Sequence, residues 1–417
     1  MKTKQVSESN HKKLSEICKI ILSGTPKTSI PEYWNGDINW ITPTDITKIN
    51  KRYIYNTERK ITKEGILNSS AKLLKKDTIV ISARGTVGKL CIVPSEMSCN
   101  QSCYALESIS ELVRPLYLFY VLKNLKNVYS QIAHGTTFDT ITMATFDEIK
   151  ITLPSLDEQD KLIPKLDMLD SKIENLQKQN QILEQIIQSI FKSWFIDFDG
   201  QTEFVDSELG KIPKGWKVEK LGNLINHEKG FPFKSSDYKK FGRKIIRSSD
   251  LTKDSVNLKK CVCIDQNQVI NYQKWILNQN DILITTVGSG MNHPESMVGR
   301  VIRVPSFAHQ LLLNQNIVRI RAKNMIYHLF LLTKLQQVDF REFLAFRTQG
   351  SANQASLTLD TVFGFLIIEP SSEEIKKFYH IAESIYKKIN FNQEIQIILT
   401  NIRDSLLPKL MSGEIRV

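Results

Sequence analysis

Apolar side chains recur along this chain in two long helical stretches, and everything else is placed by them. From Ser155 to Phe195 they fall at Leu162, Leu166, Leu169, Ile173, Leu176, Asn180, Leu183, Ile187, Ile190 and Trp194. The steps alternate between three and four residues, with one polar interruption at Asn180. That is the seam of a helix packed lengthwise on another helix. Ser155 and Glu158 have capping-box spacing, which marks its start. The same signature returns 216 residues later: Pro370, Ser371 and Glu374 repeat Pro154, Ser155 and Glu158, and Phe378, Ala382, Ile385 and Ile389 repeat Leu162, Leu166, Leu169 and Ile173. Asn392 and Gln396 then fall on the seam, and Ile395, Leu399, Ile402, Leu406 and Leu410 resume it in a shifted frame. The pattern predicts a stutter near 390–398, with Asn180 and Gln396 setting register at a cost in stability.

The stretches before each helix predict short strands and turns in one repeated order. Shifts of 207 for Leu14 and Leu221, 205 for Asp45 and Asp250, 204 for Asp77 and Asp281, 214 for Asn100 and Asn314, and 215 for Gly135 and Gly350 keep that order while drifting. This is a duplication with loop insertions and deletions. The expected domains are a first domain over 1–154, a spacer helix over 155–196, a linker over 197–215, a second domain over 216–370, and a second spacer helix with the tail over 371–417. The first helix leaves domain one and ends at domain two, so a second helix packed along it runs back, antiparallel. The expected class is α+β: two repeated α/β domains separated by two long antiparallel coiled-coil helices. At about 1.5 Å per residue, each helix spans roughly 60 Å.

Charge sharpens the picture. The chain has 417 residues and a formal charge of +12, yet 156–195 carries −2 and 372–410 carries +1, leaving +13 for the rest. A basic surface away from the helices favours phosphate backbones, although high net charge alone does not establish nucleic-acid binding. No apolar run of signal-peptide or membrane-spanning length occurs, which gives an expectation of a cytoplasmic protein without a membrane role. Six cysteines contain no C-x-x-C pair, so no zinc ribbon or disulfide framework is indicated.

Catalytic signatures are missing. None of the thirteen prolines adjoins another, so the Asn/Asp-Pro-Pro-aromatic loop of an adenine methyltransferase is absent. Gly288-Ser289-Gly290 lacks a third glycine at His293, and Gly85 to Lys89 is too short for a P-loop. Glu148-Ile149-Lys150 with Asp139 resembles a nuclease carboxylate-lysine pattern, but its repeat position is Gly364, and a solvated strand edge explains it. No catalytic residue, metal ligand or cofactor of its own is assigned.

Polar and basic residues in loops that recur in both halves are the candidates for nucleic-acid contact, because such side chains reach base edges and phosphates. In the first half these are Thr42, Thr44, Arg84, Thr86, Lys89, His134, Thr136 and Thr137. In the second they are Arg247, Ser248, Ser249, Ser289, Asn292, Arg300, Arg347, Gln349, Ser351 and Asn353. Each equally suits a turn cap or a solvated position.

Four motifs carry a family resemblance. SIFKSWFIDF, DSELGKIPKGWKVEKLGNL, LPSLDEQ and LLPKLMSGEIRV resemble the specificity subunits of type I restriction-modification systems, and the likeness covers almost the whole chain. It implies two target-recognition domains that read the halves of a split site in double-stranded DNA, with the helix pair setting the gap. It further implies partners: two methylation subunits, and restriction subunits that translocate and cut. S-adenosylmethionine, ATP and magnesium would belong to them. The departures are the weaker second helix, Pro408 in its last turn and no DSELG-like lead-in before the first domain. The alternatives are a self-sufficient methyltransferase or nuclease, opposed by the missing motifs, and a coiled-coil adaptor without DNA, opposed by the charge.

Overall fold

The computed structural model describes residues 11–125, 128, 140–252, 255–288, 298–308, 310–350 and 355–415, with 349–350 as backbone only. The chain divides into two compact units, Met1–Asn175 with Ile398–Val417, and Leu176–Ile397. Both divisions fall inside long helices, Leu156–Phe195 and Ser372–Met411, so each unit contains one end of each helix.

In the first unit a four-stranded antiparallel sheet runs in the order Cys18–Leu22, Cys103–Ser108, Ile79–Ser82, Leu90–Ile92. Ile79–Ser82 is buried along its whole length because both faces are covered. Ile79 and Ile81 enter one apolar cluster and Val80 another, as strand alternation requires. A second sheet pairs Trp34–Ile41 antiparallel with Lys60–Ile61 and parallel with Ser98–Cys99. His11–Lys13 pairs with Lys150–Thr152 and brings the two ends of the domain together.

The second unit repeats the plan. Its four-stranded sheet runs Ile225–Lys229, Ile317–Ala322, Ile282–Thr285, Val301–Arg303. Arg243–Ile246 pairs antiparallel with Val262–Ile264 and parallel with Leu312–Leu313, and Lys217–Lys220 pairs with Leu366–Glu369. Ile282 and Ile284 again face one cluster and Leu283 another.

The equivalent turns of the two domains correct one sequence match. Asp77 and Asn280 both have positive φ, 65° and 69°, and their N–H groups donate to Val93 O and Val304 O at 2.7 and 2.8 Å. Asp77 therefore corresponds to Asn280, a shift of 203, and not to Asp281. Asn and Asp tolerate the left-handed region, so either residue serves the turn. The stretch 197–215, read as a linker, folds partly into a hairpin of Phe204–Ser207 and Gly210–Pro213, and its Ile212 enters the second domain's core.

The first helix opens with the capping box. Glu158 N–H donates to Ser155 Oγ at 3.3 Å and Ser155 N–H to Glu158 Oε2 at 3.0 Å. In the second, Glu374 N–H donates to Ser371 Oγ at 3.3 Å. Both helices continue through a proline, Pro164 and Pro408.

Within each unit the helix ends run antiparallel. In the first, Leu162 and Leu166 share a core with Leu407 and Leu410, while Asp170, one turn later, meets Arg403, one turn earlier, at 2.6 Å. In the second, Asn180 meets Asn392 and Phe191 meets Phe378. Leu166, Ile173, Leu176, Asn180, Ile187 and Ile389 are buried, and Leu169, Leu183, Ile190, Trp194, Ile385, Leu399 and Leu406 are half-buried. Beyond Ile187 the buried positions become Phe191 and Phe195, which turn into the second domain's core against Phe330, Phe378 and Trp216. Ile402 departs from the sequence expectation: it is 41% exposed, because the Arg403 beside it takes the place next to Asp170. The frame change is visible at Ile389, Asn390 and Asn392, all buried, around Phe391 at 55% exposed. Of the two register candidates, Asn180 is paired with Asn392, while the buried Gln396 Nε2 has no hydrogen-bond partner among the described residues.

Candidate nucleic-acid interface

The first domain gathers its polar loops around one buried carboxylate. Thr42 caps the short helix Pro43–Lys48, and Asp45, on its first turn, accepts from Thr42 N–H at 2.9 Å and Thr42 Oγ1 at 2.6 Å. Its other oxygen accepts from Glu58 N–H at 2.9 Å, which ties a second loop to the first. An open depression of about 500 Å³ results. Of the residues expected from sequence it is lined by Thr42, Thr44 and Arg84. Glu58, Arg59, Asn100 and Ser102 also line it, and the sequence reading missed them. Asn100 was visible only as a repeat match with Asn314; both N–H groups donate to the preceding sheet, to Ile41 O and Ile246 O at 2.9 and 3.1 Å. Arg59 carried no sequence signal, since its place depends on Trp34.

Arg84 and Thr86 are exposed, and Arg84 makes no ion pair or hydrogen bond among the described residues. Lys89 and Arg300 occupy the same place in their domains. Each follows a glycine of positive φ, Gly88 or Gly299, and each N–H donates to a hydroxyl, Ser82 Oγ at 3.0 Å or Thr285 Oγ1 at 3.1 Å. Two basic residues at equivalent turns suit a backbone contact repeated in both halves.

In the second domain Arg247, Ser248 and Ser249 replace Thr42, Pro43 and Thr44. Arg247 is largely committed inside the protein: Nε and Nη2 donate to Asp250 at 3.0 and 2.9 Å, and Nη2 also to Lys260 O at 3.0 Å. The hydrogen bonds to Asp250 raise its pKa. Only Nη1 is left for a ligand, so Ser249, which is exposed, is the better placed of the three. Arg347 lies over the Phe343 ring at 4.0 Å and is otherwise exposed. A second depression, about 330 Å³, is lined by Asn226, His227, Arg319 and Arg321, none of them expected from sequence. Arg321 is held there by Asp281 at 2.5 and 2.7 Å. His134, Thr136, Thr137, Ser289, Asn292, Ser351 and Asn353 lie outside the described residues, and Gln349 is described only as part of the strand Gln349–Gly350.

Lys150 sits in the strand pair with Lys13, and Glu148 ends the preceding helix in solvent. Burial pushes the Cys18 and Cys99 thiols up to about 12, far from the reactive range. Among the described residues no group of His, Cys, Asp and Glu could hold a metal ion, and no helix is long and apolar enough to cross a membrane.

The type I restriction modification DNA specificity domain matches this sequence twice, over residues 7–185 and 213–401, most of the chain. The chain belongs to the type I specificity family. The type I restriction enzyme MjaIX specificity subunit of Methanocaldococcus jannaschii is 30% identical over 420 residues, covering 97% of this chain and 93% of the relative. The MjaVIII specificity subunit of the same organism is 25% identical over 373 residues, covering 85% and 84%. The crystal structure of an S subunit from M. genitalium shares the fold at a TM-score of 0.53, with 16% identity and 98% of both chains covered. The two family matches coincide with the two repeats, so the duplication read from drifting shifts is the family's own domain pair.

Proposed function

We propose that this specificity subunit binds double-stranded DNA at a split, non-palindromic target, one half read by each domain, and positions catalytic partners over it. The observation that carries the reading is the duplication. Sheet order, register and the acid-braced loop recur in both domains, while the displayed side chains differ: Thr42-Pro43-Thr44 in one, Arg247-Ser248-Ser249 in the other. A common scaffold carrying unlike loops is what reading two unlike sequences requires. Lys89 and Arg300 supply phosphate contacts at equivalent turns, and the length of the helical segments between the domains fixes the spacer.

The chain's contribution is placement. Methylation subunits, two per complex, bring S-adenosylmethionine and act on adenines flipped from the stack, and restriction subunits bring ATP- and magnesium-dependent translocation and cleavage. This subunit holds none of these cofactors. Its setting is the cytoplasm, where the DNA is. The test is a domain exchange. Residues 13–150 are replaced by the corresponding segment of another family member, and methylated sites are mapped in the assembled methyltransferase. One half of the target changes and the other persists; a change in both halves, or in neither, defeats the reading.

A further inference from the structure

Arg59 is held like a tool in a clamp. Its Cζ lies 3.5 Å from the centre of the Trp34 ring, and Trp34 meets Trp40 edge-on at 5.2 Å. Both indoles are nearly buried and fixed by their Nε1 donors, Trp34 to Lys27 O and Trp40 to Gly24 O, each at 3.1 Å. The backbone is fixed too: Arg59 O accepts from Trp40 N–H at 3.2 Å and Thr57 Oγ1 at 2.6 Å, and Glu58 N–H is held by Asp45. The guanidinium itself makes no hydrogen bond or ion pair among the described residues. Stacking has removed its rotamer freedom while leaving its donors unused.

Glu58, its neighbour, lines the same depression, and among the described residues its side chain pairs with Lys48 alone, at 3.0 Å, both side chains at least half exposed. Such a pair is easily exchanged. A flat donor fork beside an acceptor matches one major-groove edge. Guanine offers two adjacent acceptors, O6 and N7, for a bidentate arginine, and its cytosine partner offers the N4 donor to a carboxylate. The carboxylate also argues against phosphate, which it would repel. We propose that Arg59 and Glu58 together read a G·C pair in the half-site of the first domain. The second domain has Val262 at the place of Arg59, in the strand beside Ile245, so the device belongs to one half only. This inference rests on the proposal that each domain reads half of a split target.

The experiment is target mapping of the assembled methyltransferase with Arg59→Ala, Arg59→Lys and Glu58→Gln, alongside binding at graded salt. Discrimination at a single G·C position of one half-site falls roughly ten- to hundred-fold in both arginine variants, since lysine cannot replace a stacked bidentate fork. Glu58→Gln, isosteric and exposed, weakens discrimination at that same pair without endangering the fold. The other half-site is unaffected and serves as an internal control. An unchanged target in all three variants overturns the assignment, as does uniformly weaker binding with the salt slope lowered by about one, which marks a phosphate contact. A wild-type complex that methylates no split target overturns the underlying reading as well.

Discussion

Asn392 Nδ2 donates to Asn180 Oδ1 at 2.8 Å across the helix pair, and both residues are buried. An amide pair at such a place aligns two helices because any slip separates the partners and buries both unsatisfied. Replacing Asn392 by Leu leaves Asn180 without its donor and is expected to cost about 1–3 kcal/mol in urea unfolding. Asn180→Leu combined with Asn392→Leu restores much of that stability. The four measurements form a double-mutant cycle; strictly additive effects would show that the two amides do not act as a register pin.

Asp170 is the corresponding ionic anchor of the first unit. It is buried and receives Lys123 at 3.0 Å and Arg403 at 2.6 Å. Burial alone would raise its pKa, but the two cations together bring it below the usual carboxylate value. Asp170→Asn removes the carboxylate paired with partly buried Lys123 and leaves Arg403 with only the more exposed Asp404, and it is expected to destabilise by about 3–5 kcal/mol. Asp160→Asn, which breaks a solvent-exposed pair with Arg114, costs far less. Equal losses in the two variants would contradict this ranking.

His328 makes the second unit sensitive to acid. Its Nδ1 accepts from Ala322 N–H at 3.2 Å, so its Nε2 proton donates to Asn280 O at 2.8 Å, and the neutral ring is fully used. Burial lowers its pKa below the ordinary 6.5. Above 6.5 the ring is neutral whether folded or unfolded; below it the unfolded chain takes up a proton that the folded chain refuses. Stability is thus fully present above 6.5 and falls with pH below it, by up to about 1.4 kcal/mol per unit for one proton. His328→Gln should show a shallower decline than the wild type between pH 6.5 and 5. Matching slopes would remove His328 as the cause.

The basic loop residues should separate by role. Replacing Lys89 or Arg300 with Ala is expected to lower the slope of log affinity against log salt by about one each, without altering the target. The same holds for Arg84 or Arg347 where they touch phosphate. Arg247→Ala should act through stability instead, because its guanidinium is engaged by Asp250 and Lys260. A full unit of salt slope lost in Arg247→Ala, with unchanged unfolding, would reverse that distinction.

The duplication was legible because hydrogen-bonded turns preserve residue order even where identity is lost. One match slipped by a residue: Asp77 was aligned on an aspartate, while the backbone selected Asn280 for its left-handed turn. The helical seam was readable as far as Ile187, where helix packing alone dictates the pattern. Beyond it, Phe191 and Phe195 answer to a domain core. Ile402 misled because an apolar residue at seam spacing lost its place to an arginine drawn by Asp170, a partner 232 positions away from Ile402 in sequence. Glu58 and Arg59 were invisible for a similar reason. Their significance comes from Trp34, Trp40 and Asp45, which the fold brings to them and no local spacing announces.

Each domain begins and ends in one antiparallel strand pair, His11–Lys13 with Lys150–Thr152 and Lys217–Lys220 with Leu366–Glu369. Entry and exit therefore lie side by side, a few residues before nearly identical Pro-Ser caps at Pro154 and Pro370. A genetic crossover in the coding sequence at those caps would hand over an entire domain with its ends already sealed. The helix that follows would meet the same kind of junction. Unequal exchange between the two caps of one gene would remove or add a whole half without leaving a frayed sheet. Recombination at those two points would then bring new pairings of half-sites in single events instead of by accumulated point changes.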